Sequence, residues 1–159
     1  MSLFKKLFGS NKPNGFKDEF WGSLEYENKI DIFGKKQFSK NPKGKIKFYD
    51  VEVRIDLECD ESGPNKVQKE FFIRLKDAFP QIVKYHLTPI LNKGIANWTD
   101  VDSVELNFDN DFVLNELVLP NCLTHPVQWK LVLYYPTMDQ FISIHFSDFE
   151  PDKEIQFNN

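Results

Sequence analysis

A chain of 159 residues, 41% hydrophobic and 28% charged, is long enough for one domain with a real core and short for two. Its formal net charge of −4 argues against generic nucleic-acid binding, which calls for a basic footprint. No apolar run reaches the roughly 18–20 residues of a membrane helix, and no leader with an apolar centre and a small-residue cleavage site opens the chain, so a cytoplasmic location is expected.

The charge is unevenly placed. Residues 1–50 hold 11 Lys against 6 Asp and Glu, while residues 51–159 hold 9 Lys and Arg against 18 Asp and Glu. An acidic body with a basic front end suits solubility or recognition of a basic partner. Sixteen Phe and three Trp predict a thick aromatic core, because such rings bury large areas.

At the front, Leu3, Phe4, Leu7 and Phe8 share a helical face opposite Lys5 and Lys6. The readings are docking on the body, fraying, or contact with a membrane surface. Ser2 excludes a myristoylation start. Ser10–Phe16 reads as a connector, which sets residues 1–16 as a flexible or amphipathic segment and 17–159 as a single α+β domain.

Phe20–Glu27 alternates as a strand, with a turn expected at Asn28-Lys29, a short strand through Ile30 and Ile32, and a polar basic loop over Gly34–Gly44. From Lys45 a long strand follows. Tyr49, Val51, Val53, Ile55, Leu57 and Cys59 point one way, and Asp50, Glu52, Arg54, Asp56 and Glu58 the other. Ile46 and Phe48 have the opposite phase, which predicts a bulge or bend near Phe48-Tyr49.

Residues 65–94 have the helical repeat. Val67, Phe71, Leu75, Ala78, Phe79, Ile82, His86 and Ile90 form an apolar stripe, with Gln68, Lys69, Lys76, Asp77 and Lys84 mostly off it. Pro80 predicts a kink or break, Thr88-Pro89 a cap and first position of a final turn, and Gly94 a left-handed stop.

Strands are then expected over Val104–Phe108, Phe112–Leu119, Val127–Tyr135 and Phe141–Phe146, with a short edge strand at Ile155–Phe157. Asp109-Asn110-Asp111 and Pro136–Gln140 read as hairpin turns. The expected fold is α+β and two-layered. A mostly antiparallel sheet carries one long kinked helix (about residues 65–93) on one face. Phe71, Leu75, Phe79 and Ile82 should pack on Val51, Val53 and Ile55.

No phosphate loop, dinucleotide fingerprint, nucleophile elbow or HExxH motif is present. His86, His125 and His145 have no spacing that suggests a metal or a triad. Asp109-Asn110-Asp111 begins like a calcium loop but lacks its downstream glycine and closing glutamate. Cys59 and Cys122 read as reduced thiols, with one disulfide as the alternative. No catalytic residue, metal or cofactor is therefore assigned. The candidate binding residues are Asp50, Glu52, Asp56 and Glu58 on one strand face. They are either a patch for cations or a basic partner, or a solvated sheet face.

Phe20-Trp21-Gly22-Ser23-Leu24-Glu25-Tyr26 resembles the opening of a group of small bacterial proteins of immunity type from toxin systems. The helix entry Gly63-Pro64-Asn65-Lys66-Val67-Gln68 followed by Glu70-Phe71-Phe72, the later Gln128-Trp129-Lys130-Leu131 and the closing Phe146-Ser147-Asp148 are similar too. The resemblance covers roughly residues 20–157. It implies an immunity protein that binds and blocks a toxin. With the absence of a catalytic constellation, the small single domain and the acidic face, the expected function is a non-enzymatic protein-binding module with a basic protein partner such as a toxin. The alternatives are an enzyme in which His86, His125 and carboxylates converge, and a membrane-associated regulator using Leu3, Phe4, Leu7 and Phe8.

Overall fold

The computed structural model describes residues 15–30 and 36–158. The amphipathic stretch at Leu3, Phe4, Leu7 and Phe8 lies outside the described residues, as does Ile32. Four strands open the described chain: β1 (Gly15–Asp18), β2 (Gly22–Ile30), β3 (Lys36–Phe48) and β4 (Val51–Leu57). A helical run follows as α1 (Lys66–Ile82), a π-helical turn (Val83–Leu87) and α2 (Thr88–Thr99). After it come the short α3 (Phe108–Asp111), β5 (Val113–Leu119), β6 (Gln128–Tyr135), β7 (Gln140–Ser147), β8 (Glu150–Pro151) and β9 (Gln156–Asn158).

The nine strands form one sheet in chain order from β1 to β8, with β9 also paired to β7. Every pairing is antiparallel except the central one, β4 to β5. That pair must be parallel, because the helical run carries the chain back over the sheet to its starting end. The sheet is thus mostly antiparallel with the helices on one face, the α+β arrangement expected. Its core joins Leu24, Phe48, Val53, Ile55, Leu57, Leu117, Leu131 and Ile144 of the sheet to Phe71, Phe72, Leu75, Phe79, Leu87 and Leu91 of the helices. Among the described residues no helix is long and apolar enough to cross a membrane.

The sheet differs from the sequence reading at its first hairpins. β2 runs through Asn28-Lys29 to Ile30 without a turn. Residues 36–44, read as part of a loop, belong to β3. The bend expected at Phe48-Tyr49 is a full reversal: Tyr49 and Asp50 have φ of 50° and 63°, and Phe48 pairs directly with Val51. Two central residues at positive φ make the tight turn that suits twisted hairpins. A two-residue turn puts Ile46 and Phe48 on the same face as Val51 and Val53 despite their opposite parity, which is the phase change seen in the sequence. Val51 sits beside this turn and is 47% exposed, so the helix packs on Val53 and Ile55 without it.

The helical stripe is partly displaced. Phe71, Leu75, Phe79 and Ile82 are buried as expected, but Val67 is 36% exposed while Phe72 and Gln68 are fully buried. The chain stays helical through Pro80, whose position is exposed, so water can serve the carbonyl left without a donor. The interruption comes at the π turn. Thr88 directs both its backbone N–H and its hydroxyl, at 3.0 Å, to the Val83 carbonyl. This wide turn leaves room before Pro89, which has no N–H to give. The extra residue moves the buried stripe from His86 and Ile90, both half-buried, to Leu87 and Leu91. Thr88-Pro89 therefore lies inside a continuing helix and is no new start.

Nor is Gly94 a stop. The helix ends at Asp100, with φ of 55°, and Gly94 serves a close approach. A Cβ there would meet Ile155 Cδ1 at 2.3 Å and Cγ1 at 2.5 Å. Ile155 seats the C-terminal strap, and Phe157 stacks on Trp98 with centroids 4.4 Å apart. Gly94→Val is expected to unseat residues 152–158, read as faster amide exchange there while β6 remains protected.

Val104–Phe108 forms no strand, and Asp109-Asn110-Asp111 is no hairpin turn. Asn107 Oδ1 accepts from the amides of Asp109 at 3.0 Å and Asn110 at 3.2 Å, and so caps α3. Val104 and Leu106 pack against the core as irregular chain, pinned where the Leu106 amide donates to Asn92 Oδ1 at 3.1 Å. Lys76 is exposed, and Lys76→Ala is expected to change stability by less than about 0.5 kcal/mol in a denaturant melt.

Candidate functional site

Because the helices cover one face of the sheet, the alternate residues of each strand line the other, open face. Strand register orders them into rows. One row runs Glu25, Lys43, Asp56, Val118, Lys130, His145. The next runs Lys45, Arg54, Glu116, Val132, Ser143, Gln156. At one end Val113, Tyr134, Phe141 and Asn158 form a third.

The β3–β4–β5 part of this face is a charge network. Lys43 Nζ lies 3.2 Å from Glu27, 3.5 Å from Asp56 and 3.8 Å from Glu116. Arg54 pairs with Glu27, and its Nε lies 3.2 Å from Glu116. Asn41 donates to Asp56 at 2.7 Å. These side chains hold one another in a fixed pattern.

The four carboxylates singled out in the sequence are placed unequally. Asp56 belongs to the network. Glu52 pairs with Lys45 at 2.8 Å, and Asp50, in the hairpin turn, with Lys47 at 3.5 Å. Glu58 has no ion pair among the described residues and is half-buried beside Lys130, His145 and Asn41 in a hollow of about 310 Å³. The face is therefore of mixed charge. Lys43 was missed because residues 34–44 read as a loop, and Lys45 and Lys47, inside the expected strand, were assigned to neither face. The alternation of Lys43, Lys45 and Lys47 with Gly44, Ile46 and Phe48 was the available signal.

The third row differs in kind. Val113 is 51% and Phe141 42% exposed. The rings of Tyr134 and Phe141 meet at 5.1 Å, and the Tyr134 hydroxyl donates to Asp139 at 2.8 Å.

Beside Val113 the sheet opens. Pairing of β4 with β5 begins only at Arg54 and Glu116, so the first residues of both strands part. The gap is a cleft of about 350 Å³ walled by Tyr49, Val51, Phe108, Phe112, Val113 and Leu114, with Glu52 and Asp109 among its lining. Tyr49 has its phenol held above the ordinary value, first by burial and then by its hydrogen bond to Asp109.

The histidines are dispersed. His86 Nδ1 is 3.5 Å from Glu150, His125 Nδ1 is 3.9 Å from Asp148, and His145 lies on the open face. Among the described residues no group of three or more His, Cys, Asp and Glu side chains gathers as round a metal ion. Cys59 and Cys122 are both free thiols, with Cys122 buried and Cys59 half-buried. Burial pushes each thiol up to about 11. Thiolate is the reactive form, so alkylation at pH 8 is expected to be slow in the folded protein and to accelerate by an order of magnitude or more in denaturant, followed by mass spectrometry.

Comparison with models of protein families, with curated proteins and with solved structures finds no match to this chain.

Proposed function

We propose that the protein is a non-enzymatic binding module that holds a basic protein partner on the open face of its sheet, as a toxin immunity protein of a bacterial cytoplasm would. The observation that carries this reading is the row Val113–Tyr134–Phe141. An exposed apolar and aromatic strip beside a fixed polar network has the anatomy of an interface, with an anchor at its core and a charged rim. The network of Lys43, Arg54, Glu27, Asp56 and Glu116 is already ordered, so little freedom is lost when a partner docks on it. Asp50, Glu52, Asp56 and Glu58 lie on the same side of this interface or at its margin. A basic partner fits the excess of carboxylates beyond residue 50, and the toxin reading rests on the resemblance described above.

The test compares the parent chain with Phe141→Glu, an exposed change expected to leave the fold intact. Both are used to capture proteins from the native cell. The parent is expected to retain a basic protein that Phe141→Glu loses. That protein, expressed alone, should arrest growth unless the parent is expressed with it. Equal capture by both chains, no retained protein, or growth arrest without protection would overturn the reading.

A further inference from the structure

We infer that the cleft between the parting ends of β4 and β5 is a subsite for an apolar side chain of the partner with a cation beside it: a Leu-, Phe- or Ile-like anchor flanked by Lys or Arg. The proposal deepens the reading above by naming what the partner inserts.

The size and lining of the cleft set the apolar half of the ligand. About 350 Å³ walled by Tyr49, Val51, Phe112 and Val113 has room for one large side chain and lies within the range of small-ligand pockets. Val51 at 47% and Val113 at 51% exposure leave apolar surface that an anchor would take from water. The walls are set by the fold: Phe112 stacks on Tyr135 at 5.1 Å, and Phe108 meets Tyr49 at 6.1 Å. The cleft therefore exists before any ligand arrives.

Charge sets the other half. Between Lys93 and Lys130 the chain has six carboxylates, Asp100, Asp102, Glu105, Asp109, Asp111 and Glu116, and no Lys or Arg. Asp109 and Glu52 line the cleft itself. Glu52 already holds Lys45 at 2.8 Å, but that pair is exposed, and an exposed pair exchanges partners at little cost. The Asp109 carboxylate accepts from the neutral Tyr49 phenol. A cation is favoured there, and an anion is repelled.

The test titrates the full chain with hexylguanidinium, and separately with hexanoate, following backbone and methyl resonances. Hexylguanidinium is expected to shift Tyr49, Val51, Phe112 and Val113 saturably. Hexanoate should bind at least tenfold more weakly. Glu52→Gln with Asp109→Asn should weaken the cation at least tenfold and leave resonances outside the cleft in place. Equal binding of the two probes, or no saturable shift, overturns the proposal. If the double variant does not fold, the comparison of probes on the parent decides alone. The probes involve no partner, so their failure leaves docking on the open face standing. Loss of the partner by Phe141→Glu likewise leaves the probe result unaffected.

Discussion

Phe72→Ala is expected to destabilise the protein by about 3–5 kcal/mol, the range for truncating a buried aromatic ring. Phe72 is fully buried and occupies the junction between α1 and the first hairpins. Its ring lies 5.9 Å from Phe20, 5.1 Å from Trp21 and 5.6 Å from Phe48. Those neighbours come from the turn before β2 and the end of β3, so the cavity would be shared by elements that cannot collapse together. Cavity cost is greatest where the site cannot close. Phe71→Ala belongs at the lower end of the same range. Phe71 is buried too, but it stacks at 5.6 Å on the half-buried Phe149, which has freedom to fill the space. A urea melt of both variants checks this. An unchanged midpoint for Phe72→Ala would show that the aromatic junction does not hold the helix to the sheet.

Phe72 also marks where the sequence could and could not be read. The three-and-four spacing through Phe71, Leu75, Phe79 and Ile82 was enough to place a helix over a sheet, because period 3.6 and period 2 are the strongest signals a chain carries. Phe72 lies one position off that stripe. It is buried because the β1–β2 turn, with Phe20 and Trp21, wraps the helix from the side, a tertiary fact with no local signature. The shift from His86 to Leu87 is similar. Pro89 announced a disturbance, but only the backbone could resolve it as one inserted residue instead of a new cap.

The open face was legible in part. Arg54 and the carboxylates of β4 alternate cleanly, so their side of the sheet was apparent. Their partners on β3 were not, since Pro42, Gly44 and a run of lysines have the composition of a loop. In the sheet Lys43 lies opposite Asp56 and Lys47 opposite Glu52, while Lys45, opposite Arg54, reaches Glu52 diagonally at 2.8 Å, so carboxylates of β4 offset the run of lysines. The cleft had no signal at all. It depends on where two strands far apart in sequence cease to pair, and α3, which supplies Phe108 and Asp109, read as a strand end and a turn.

Gln68→Leu is expected to cost about 3 kcal/mol, well above the roughly 1 kcal/mol typical of losing a helix cap. Gln68 read as a polar residue off the stripe, yet it is 0% exposed. Its Oε1 accepts from the Asn65 amide at 3.0 Å, while the Asn65 side chain accepts from the Gln68 amide at 2.9 Å, a reciprocal cap. Its Nε2 donates to the carbonyls of Glu58 at 2.8 Å and Pro120 at 2.7 Å. Those carbonyls follow the ends of β4 and β5, so one side chain ties the helix start to both central parallel strands. Leucine would fill the volume, leave the Glu58 carbonyl and the Asn65 amide without partners, and leave the Pro120 carbonyl only the weak Cys122 thiol donor at 3.3 Å. Each lost bond costs about 1–3 kcal/mol where no water replaces it. Asn65→Ala, which removes the cap and the bond from Asn65 Nδ2 to the Asn121 carbonyl at 2.8 Å but spares the two carbonyl bonds of Gln68, should lose less, about 1–2 kcal/mol. Gln68→Glu separates hydrogen bonding from shape. At neutral pH its carboxylate would face two carbonyl oxygens with no proton to donate, which raises its pKa in the folded state. The folded variant then holds a proton that the unfolded chain has released, so stability should rise as pH falls from 7 toward the ordinary glutamate value near ~4.3. Relative to the parent, the deficit of Gln68→Glu should therefore shrink on acidification while that of Gln68→Leu stays constant. Parallel pH profiles for the two variants would mean that Gln68 acts by filling space, and that the strand ends are held by their own ladder.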